Sequence, residues 1–225
     1  MDWIQLQAAD GHHFNAYLQY PSTPPAGMVV VLQEIFGVNE HMESVCNQLA
    51  AQGWLAISPA LFDRVEGQQS LGYTAEDIDV GRSRKEQIGD ERALLDIEAV
   101  VAWGLKQKLK IAVMGFCWGG TLAWLASSKL AIDAAVIYYG TNVAGHLAQV
   151  PSIPLLMHFG ETDTHIPIVD VRKISAACPH AQINLYPAGH GFNCDMRGSF
   201  HAPSAALASQ RSELFLLEKL AQLTQ

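Results

Sequence analysis

The sequence of 225 residues predicts an α/β protein: a central, mostly parallel β-sheet with helices on both faces, read as one domain over 1–225. Three observations predict it. Short apolar runs at 28–32, 110–114 and 134–139 have no polar alternation, the pattern of strands buried on both faces. Segments with helical spacing lie between them, so strands and helices alternate along one continuous run. A sharp strand-to-helix turn, Gly115-Phe116-Cys117-Trp118-Gly119-Gly120, interrupts the most apolar stretch of the chain.

Taken in order, residues 3–8 and 13–20 read as two short strands joined through Asp10-Gly11, a hairpin turn signal. Residues 21–27 lead into the strand 28–32. Gln33-Glu34-Ile35-Phe36-Gly37 leaves its C-terminal end, the edge where parallel sheets carry ligand-binding loops. Glu34 there is equally a site residue or a solvent-exposed loop acid. Residues 40–52 have helical spacing with Met42, Val45 and Leu49 inward and Gly53 as the stop. Strand 54–58 ends at Pro59. Residues 60–89 are polar, hold Gly67, Gly72 and Gly81, and are long for a connection; they predict a substrate-binding excursion with short helices. Helical spacing resumes at Asp90, with Leu94, Ile97, Val101 and Leu105 turned to the sheet. Strand 110–114, helix 121–128 and strand 134–139 follow. Pro151 and Pro154 precede strand 155–159, then come helix 168–177, strand 183–186 and a closing helix over 204–223. In that helix Leu207, Leu214, Leu217 and Leu220 are available to pack.

Composition narrows the function classes. A formal charge of −8, with no Lys/Arg cluster to offset it, argues against nucleic-acid binding. Arg82-Ser83-Arg84-Lys85 is flanked by Glu76, Asp77, Asp79 and Glu86 and offers only a local patch for an anionic substrate. No apolar run of roughly 18 residues is present to span a bilayer, and the N-terminus lacks a signal-peptide pattern. Cys46, Cys117, Cys178 and Cys194 include no C-x-x-C pair, so neither a disulfide framework nor a structural zinc site is expected. The pair His12-His13 has no further ligand at metal-binding spacing. The expected setting is the reducing cytoplasm, with no metal or organic cofactor and a monomeric chain.

The strand-to-helix turn carries the chemistry. G-x-C-x-G has the form of a nucleophile elbow with Cys117 as the raised residue. Gly115 and Gly119 stand two residues to either side, where strand and helix must approach closely, and Gly120 follows. A cysteine at a helix N-terminus is favoured as thiolate. Alone, the pattern is equally that of a Gly-rich turn holding an inert, buried cysteine. Asp163, in Gly160-Glu161-Thr162-Asp163, and His190, in Gly189-His190-Gly191-Phe192, shift the balance. Each follows a predicted strand, and the order nucleophile, acid, base is that of α/β-hydrolases. Cys117 is then the nucleophile, His190 the base, and Asp163 the group that orients the imidazole. An oxyanion hole is expected from the backbone N–H groups of Ile35 and Trp118. His158, inside an apolar run, reads as a packed core histidine. His165 is close enough to Asp163 to line the site.

These motifs, together with Val38-Asn39 after Gly37 and Tyr138-Tyr139-Gly140, resemble the dienelactone hydrolases (carboxymethylenebutenolidases), α/β-hydrolases with a cysteine nucleophile. The likeness runs over nearly the whole chain from Met28. The resemblance implies a role for Glu34: it pairs with the nucleophilic cysteine at rest and takes the thiol proton when a substrate carboxylate displaces it. It implies attack on a lactone carbonyl, ring opening, and hydrolysis of a thioester to maleylacetate, without a cofactor. It also implies two arginines that hold the substrate carboxylate. Arg82 or Arg84 matches the first. The second falls four residues after the histidine, where this chain has Cys194, with Arg197 three residues further on as its replacement. Phe36, within the Glu34 motif, is a further substrate-binding candidate.

The reading is therefore a hydrolase cleaving a small lactone or activated ester by Cys117, His190 and Asp163. The alternatives are a broader carboxylesterase or thioesterase with the same residues, and a non-catalytic thiol sensor or binding protein that keeps the fold.

Overall fold

The computed structural model describes residues 2–67 and 69–220. Eight strands form one sheet: β1 (Asp2–Gln7), β2 (His13–Gln19), β3 (Met28–Leu32), β4 (Leu55–Pro59), β5 (Ile111–Phe116), β6 (Ala134–Tyr138), β7 (Leu155–Gly160) and β8 (Gln182–Tyr186). Their order is β1-β2-β4-β3-β5-β6-β7-β8. β1 pairs antiparallel with β2, and β2 antiparallel with β4; every other pairing is parallel. Each residue of β3 through β7 is buried, which is why these segments are continuous apolar runs. The β1–β2 hairpin turns at Gly11, whose φ of 86° lies in the left-handed region that glycine tolerates.

Among the described residues five α-helices cover the sheet: α1 (Glu40–Ala51), α2 (Ala75–Lys106), α3 (Trp118–Lys129), α4 (Ile168–Ala177) and α5 (Ala202–Leu220). A Cβ built on Gly115 would point at Gly119 of α3. Met114 and Phe116, on the opposite face of β5, instead floor a cavity walled by α1 and α5. The fold is that of an α/β-hydrolase, with helices on both faces.

Three sequence expectations are corrected. Helix α2 begins at Ala75, inside the segment expected to be irregular, because Thr74 and Asp77 form a capping box there. Gly89, at φ 70° and ψ 155°, breaks the helical conformation, and this break is why the helical pattern seemed to start at Asp90. Leu105 is 47% exposed, and Val100 and Gly104 take the inward positions beside Ile97 and Val101. In α5, Leu207, Leu214 and Leu217 face outward, while Ala205, Ala208, Phe215 and Leu216 join Leu220 in the core. That helix carries apolar residues all round, so its leucines did not define the buried stripe. Residues 221–223 of the expected closing helix lie outside the described residues.

His158 is the packed core histidine expected. It is fully buried in β7, with Nδ1 2.8 Å from the Tyr186 hydroxyl and Nε2 3.0 Å from Ser212 Oγ. Burial, reinforced by the Arg211 charge, pushes its pKa down to about 3, whereas an unfolded histidine titrates near 6.5. The unfolded chain therefore binds a proton that the folded one refuses. Full stability is present above pH about 6.5 and is lost as pH falls toward about 3, at up to about 1.4 kcal/mol per pH unit. Urea unfolding at pH 7 and pH 5 should show this slope in the wild type and a flatter one in His158→Gln. Equal slopes would contradict it.

Candidate active site

The turn after β5 is built by close backbone approach. A Cβ on Gly115 would lie 2.0 Å from the Gly119 carbonyl oxygen, and one on Gly119 would lie 2.2 Å from that of Leu32. Gly120 is similarly pressed against Gly140, with a Cβ at 2.8 Å from its Cα. The Cys117 N–H donates to the Tyr138 carbonyl and the Gly119 N–H to that of Gln33, which ties the turn to both neighbouring loops. Cys117 itself sits at φ 54° and ψ −113°, strained for a residue with a side chain, and caps α3.

Three loops from distant parts of the chain then meet. Cys117 Sγ lies 3.2 Å from His190 Nε2, and His190 Nδ1 lies 2.8 Å from Asp163 Oδ2. Asp163 Oδ1 accepts the backbone N–H groups of His165 (2.8 Å) and Ile166 (3.1 Å), so the carboxylate is fixed before it meets the ring. The rings of Tyr139 and His165 stand edge-on to the imidazole at 5.1 Å and 4.9 Å. Burial alone would lower the His190 pKa. The Cys117 charge and the hydrogen bonds to Asp163 and Cys117 outweigh it and raise the pKa to about 10. The arrangement favours the protonated imidazole, with Asp163 holding its Nδ1–H.

Cys117 and His190 open on a cleft of about 250 Å³ that Ile35, Phe36, Trp118 and His165 also line. The Trp118 N–H belongs to the first turn of α3, where no intrahelical acceptor exists. The indole Nε1 of Trp118 donates to Asp90 Oδ1 at 2.7 Å, linking this residue to α2 just after the Gly89 break.

Glu34 is buried and not the solvent-exposed loop acid that was the alternative. It is 2% exposed; Oε1 accepts from Arg197 Nη1 at 3.1 Å, and Oε2 is buried without a hydrogen-bond partner. Arg197 also turns inward over the rings of Phe36 (5.4 Å) and Tyr73 (5.9 Å) and reaches the cleft. The resemblance implies Glu34 paired with the cysteine at rest; the structure instead holds Glu34 on Arg197 and the Cys117 sulfur beside His190.

The other arginines separate. Arg82 lines the cleft, with a largely exposed side chain 3.8 Å from Asp79. Arg84 does not: it is 8% exposed and lies over the Phe62 ring at 5.2 Å. Lys85, which the sequence offered only as part of a local basic patch, takes the cleft position instead. Ile78, Arg82 and Lys85 follow i, i+4, i+7 spacing, and this single helix face was readable once the helix start at residue 75 was known. Cys194 is buried against the Tyr73 hydroxyl at 3.2 Å. Burial pushes its thiol up to about 11, and it has no part in the Cys117 arrangement. Among the described residues no helix is long and apolar enough to cross a membrane.

Known proteins share both sequence and fold. A carboxymethylenebutenolidase of Pseudomonas putida is 36% identical over 228 residues, covering 95% of this chain and 94% of that protein. A Synechocystis relative provisionally given the same name is 35% identical over 221 residues, 89% of this chain and 87% of the relative. A crystal structure from Klebsiella pneumoniae, provisionally named a dienelactone hydrolase, superposes with a TM-score of 0.83 at 30% identity, over 99% of this chain and 100% of that one. A metagenomic dienelactone hydrolase-like promiscuous phosphotriesterase shares the fold at a TM-score of 0.77 and 18% identity, over 97% and 98% of the two chains. The sequence profile of the dienelactone hydrolase family matches residues 14–220. With that match added to a Cys–His–Asp arrangement on an α/β-hydrolase sheet, this chain is an enzyme of the dienelactone hydrolase family.

Proposed function

We propose that the enzyme hydrolyses a small lactone or activated ester carrying a carboxylate, with Cys117 as nucleophile, His190 as acid and base, and Asp163 as the orienting group. The observation that carries this reading is the contact of Cys117 Sγ with His190 Nε2 at 3.2 Å, His190 being held by Asp163 at 2.8 Å. The thiolate attacks the carbonyl carbon, and the developing oxyanion takes the N–H groups of Ile35 and Trp118. The tetrahedral species collapses, the C–O bond to the leaving oxygen breaks, and the His190 proton goes to that oxygen. Water then gives its proton to His190 and attacks the thioester, and the thiolate departs as the acid product forms.

Arg82, Lys85 and Arg197 make the cleft cationic inside a chain of net charge −8, which suits an anionic substrate. A substrate carboxylate competes with Glu34 for Arg197, and the released Glu34 becomes a local base for the thiol. Segment 60–89 contributes the substrate-binding face through Ile78, Arg82 and Lys85.

Arg197→Met is the test. A charge-assisted hydrogen bond contributes about 1.5–3 kcal/mol, so kcat/KM for a carboxylate-bearing lactone should fall about 10- to 100-fold. Turnover of a neutral activated ester should change by less than about threefold. Equal losses on both substrates would favour the second reading, a broader carboxylesterase or thioesterase. The engagement of Arg197 by Glu34 is the observation that keeps it open, since a neutral substrate need not break that pair.

A further inference from the structure

A second group of chemistry-bearing side chains lies where α1 meets the loop that follows His190. Among the described residues, one ligand atom each from His41, Cys194 and Asp195 falls within 4.8 Å of the other two. His41 is in the first turn of α1 and its side chain is 5% exposed. Its Nδ1 makes a long 3.3 Å contact with Asp195 Oδ1, and its Nε2 is buried with no hydrogen-bond partner. Cys194 is fully buried, and the Asp195 side chain is 64% exposed. This is not a second nucleophilic arrangement: the buried Cys194 Sγ bonds the Tyr73 hydroxyl.

We propose that His41, Cys194 and Asp195 form a binding site for a zinc-class divalent cation. One thiolate, one imidazole and one carboxylate are the donor mixture that a borderline cation takes, and a single carboxylate beside a thiol is a poor offer to calcium or magnesium. His41 and Asp195 both line the cavity of about 420 Å³ between α1 and α5, which gives the cation an entry path and water for its fourth position. Tetrahedral bonds of about 2.0–2.3 Å place ligand atoms roughly 3.5 Å apart, so the group must close by about 1 Å. His41 and Asp195 already approach to 3.3 Å, so the closure is toward Cys194, through rotation of the Cys194 and Asp195 side chains. A metal bond to the imidazole also ends the isolation of a buried histidine whose nitrogens have no short hydrogen bond.

The surroundings suit a thiolate. Asn39 Nδ2 donates to the Tyr73 hydroxyl at 3.0 Å, so with that acceptor role filled the Tyr73 O–H is free to turn and donate to Cys194 Sγ. As the S–metal bond forms, the Cys194 proton leaves to solvent; the carboxylate and neutral imidazole release none, and no redox change occurs. Bound metal would fix α1 to the loop that carries both His190 and Arg197. The site stands apart from the proposed ester hydrolysis and does not depend on it.

The test uses Co²⁺ as a spectroscopic probe, on the full chain carrying Cys117→Ser so that the cleft thiol cannot contribute. One Co²⁺ per chain is expected, with a thiolate-to-cobalt charge-transfer band, displaced stoichiometrically by Zn²⁺. The band should vanish on adding Cys194→Ser. Asp195→Asn changes an exposed side chain and should keep the fold while weakening binding at least about tenfold, as should His41→Gln. Absence of the band from the Cys117→Ser protein, its survival in Cys194→Ser, or undiminished affinity in Asp195→Asn would each overturn the proposal.

Discussion

Cys117→Ala is expected to lower kcat/KM for any ester the enzyme cleaves by at least about 10⁴-fold, with the fold intact. Cys117 is 9% exposed and contributes a small side chain to the rim of a cleft, so its loss leaves no large void. What disappears is the atom that forms the thioester. Asp163→Asn should come close to the same loss, because an amide no longer selects the Nδ1–H form of His190. A second readout separates chemistry from mere disturbance of the site. In the wild type the Cys117 charge is the foremost of the effects that raise His190 to about 10 against its burial. Removing the sulfur removes that support, so the His190 midpoint followed by NMR should fall in Cys117→Ala. Retention of more than about 1% of wild-type turnover would exclude Cys117 as nucleophile. An unmoved His190 midpoint would exclude the charge coupling.

Gly115→Ala is expected to be among the most damaging small substitutions in the chain. The added methyl would stand 2.0 Å from the Gly119 carbonyl oxygen and 2.4 Å from its carbon. These are backbone atoms, and β5 is held on both sides by parallel pairing to β3 and β6. Neither strand nor helix can withdraw without breaking the sheet or the turn that presents Cys117. A cost above about 3 kcal/mol follows, enough to lower Tm by about 6–12 °C or to prevent folding. Gly198→Ala is the control. Nothing lies within 4 Å of its Cβ position, and the change should stay within about 0.5 kcal/mol. Equal melting temperatures for the two variants would show that the elbow glycines are not sterically required.

Both predictions concern residues that were readable before any coordinates, and for a common reason. Nucleophile and acid each follow a strand buried on both faces, and such strands announce themselves as unbroken apolar runs. The base follows β8, a partly buried edge strand that its flanking Pro and Gly residues mark off. The C-terminal ends of these strands share one edge of a parallel sheet, so chain order was enough to bring Cys117, Asp163 and His190 into one group. The packed state of His158 was legible in the same way, from a polar residue inside an apolar run. Glu34 was not, because the position after β3 suits a site residue and a loop acid equally until its burial is known.

Where the sequence failed, the missing quantity was a helix register or a long-range approach. Arg82, Arg84 and Lys85 are nearly adjacent in the chain, yet Arg82 and Lys85 face the cleft while Arg84 lies over Phe62. The left-handed Gly89 hid the true start of α2 and with it that sorting. The buried stripe of α5 had the same obscurity, since its apolar residues occupy every face. His41 and Asp195 are 154 positions apart, and no local pattern relates them. The sequence by itself determined the alternation of strands and helices and placed Cys117, Asp163 and His190 just past the ends of three strands, because short-range burial and turn sterics dictate both. Only the tertiary structure decided which cations face the cleft, that Arg197 reaches Glu34, and that α1 meets the His190 loop. Those outcomes depend on how whole helices rotate and dock against the sheet.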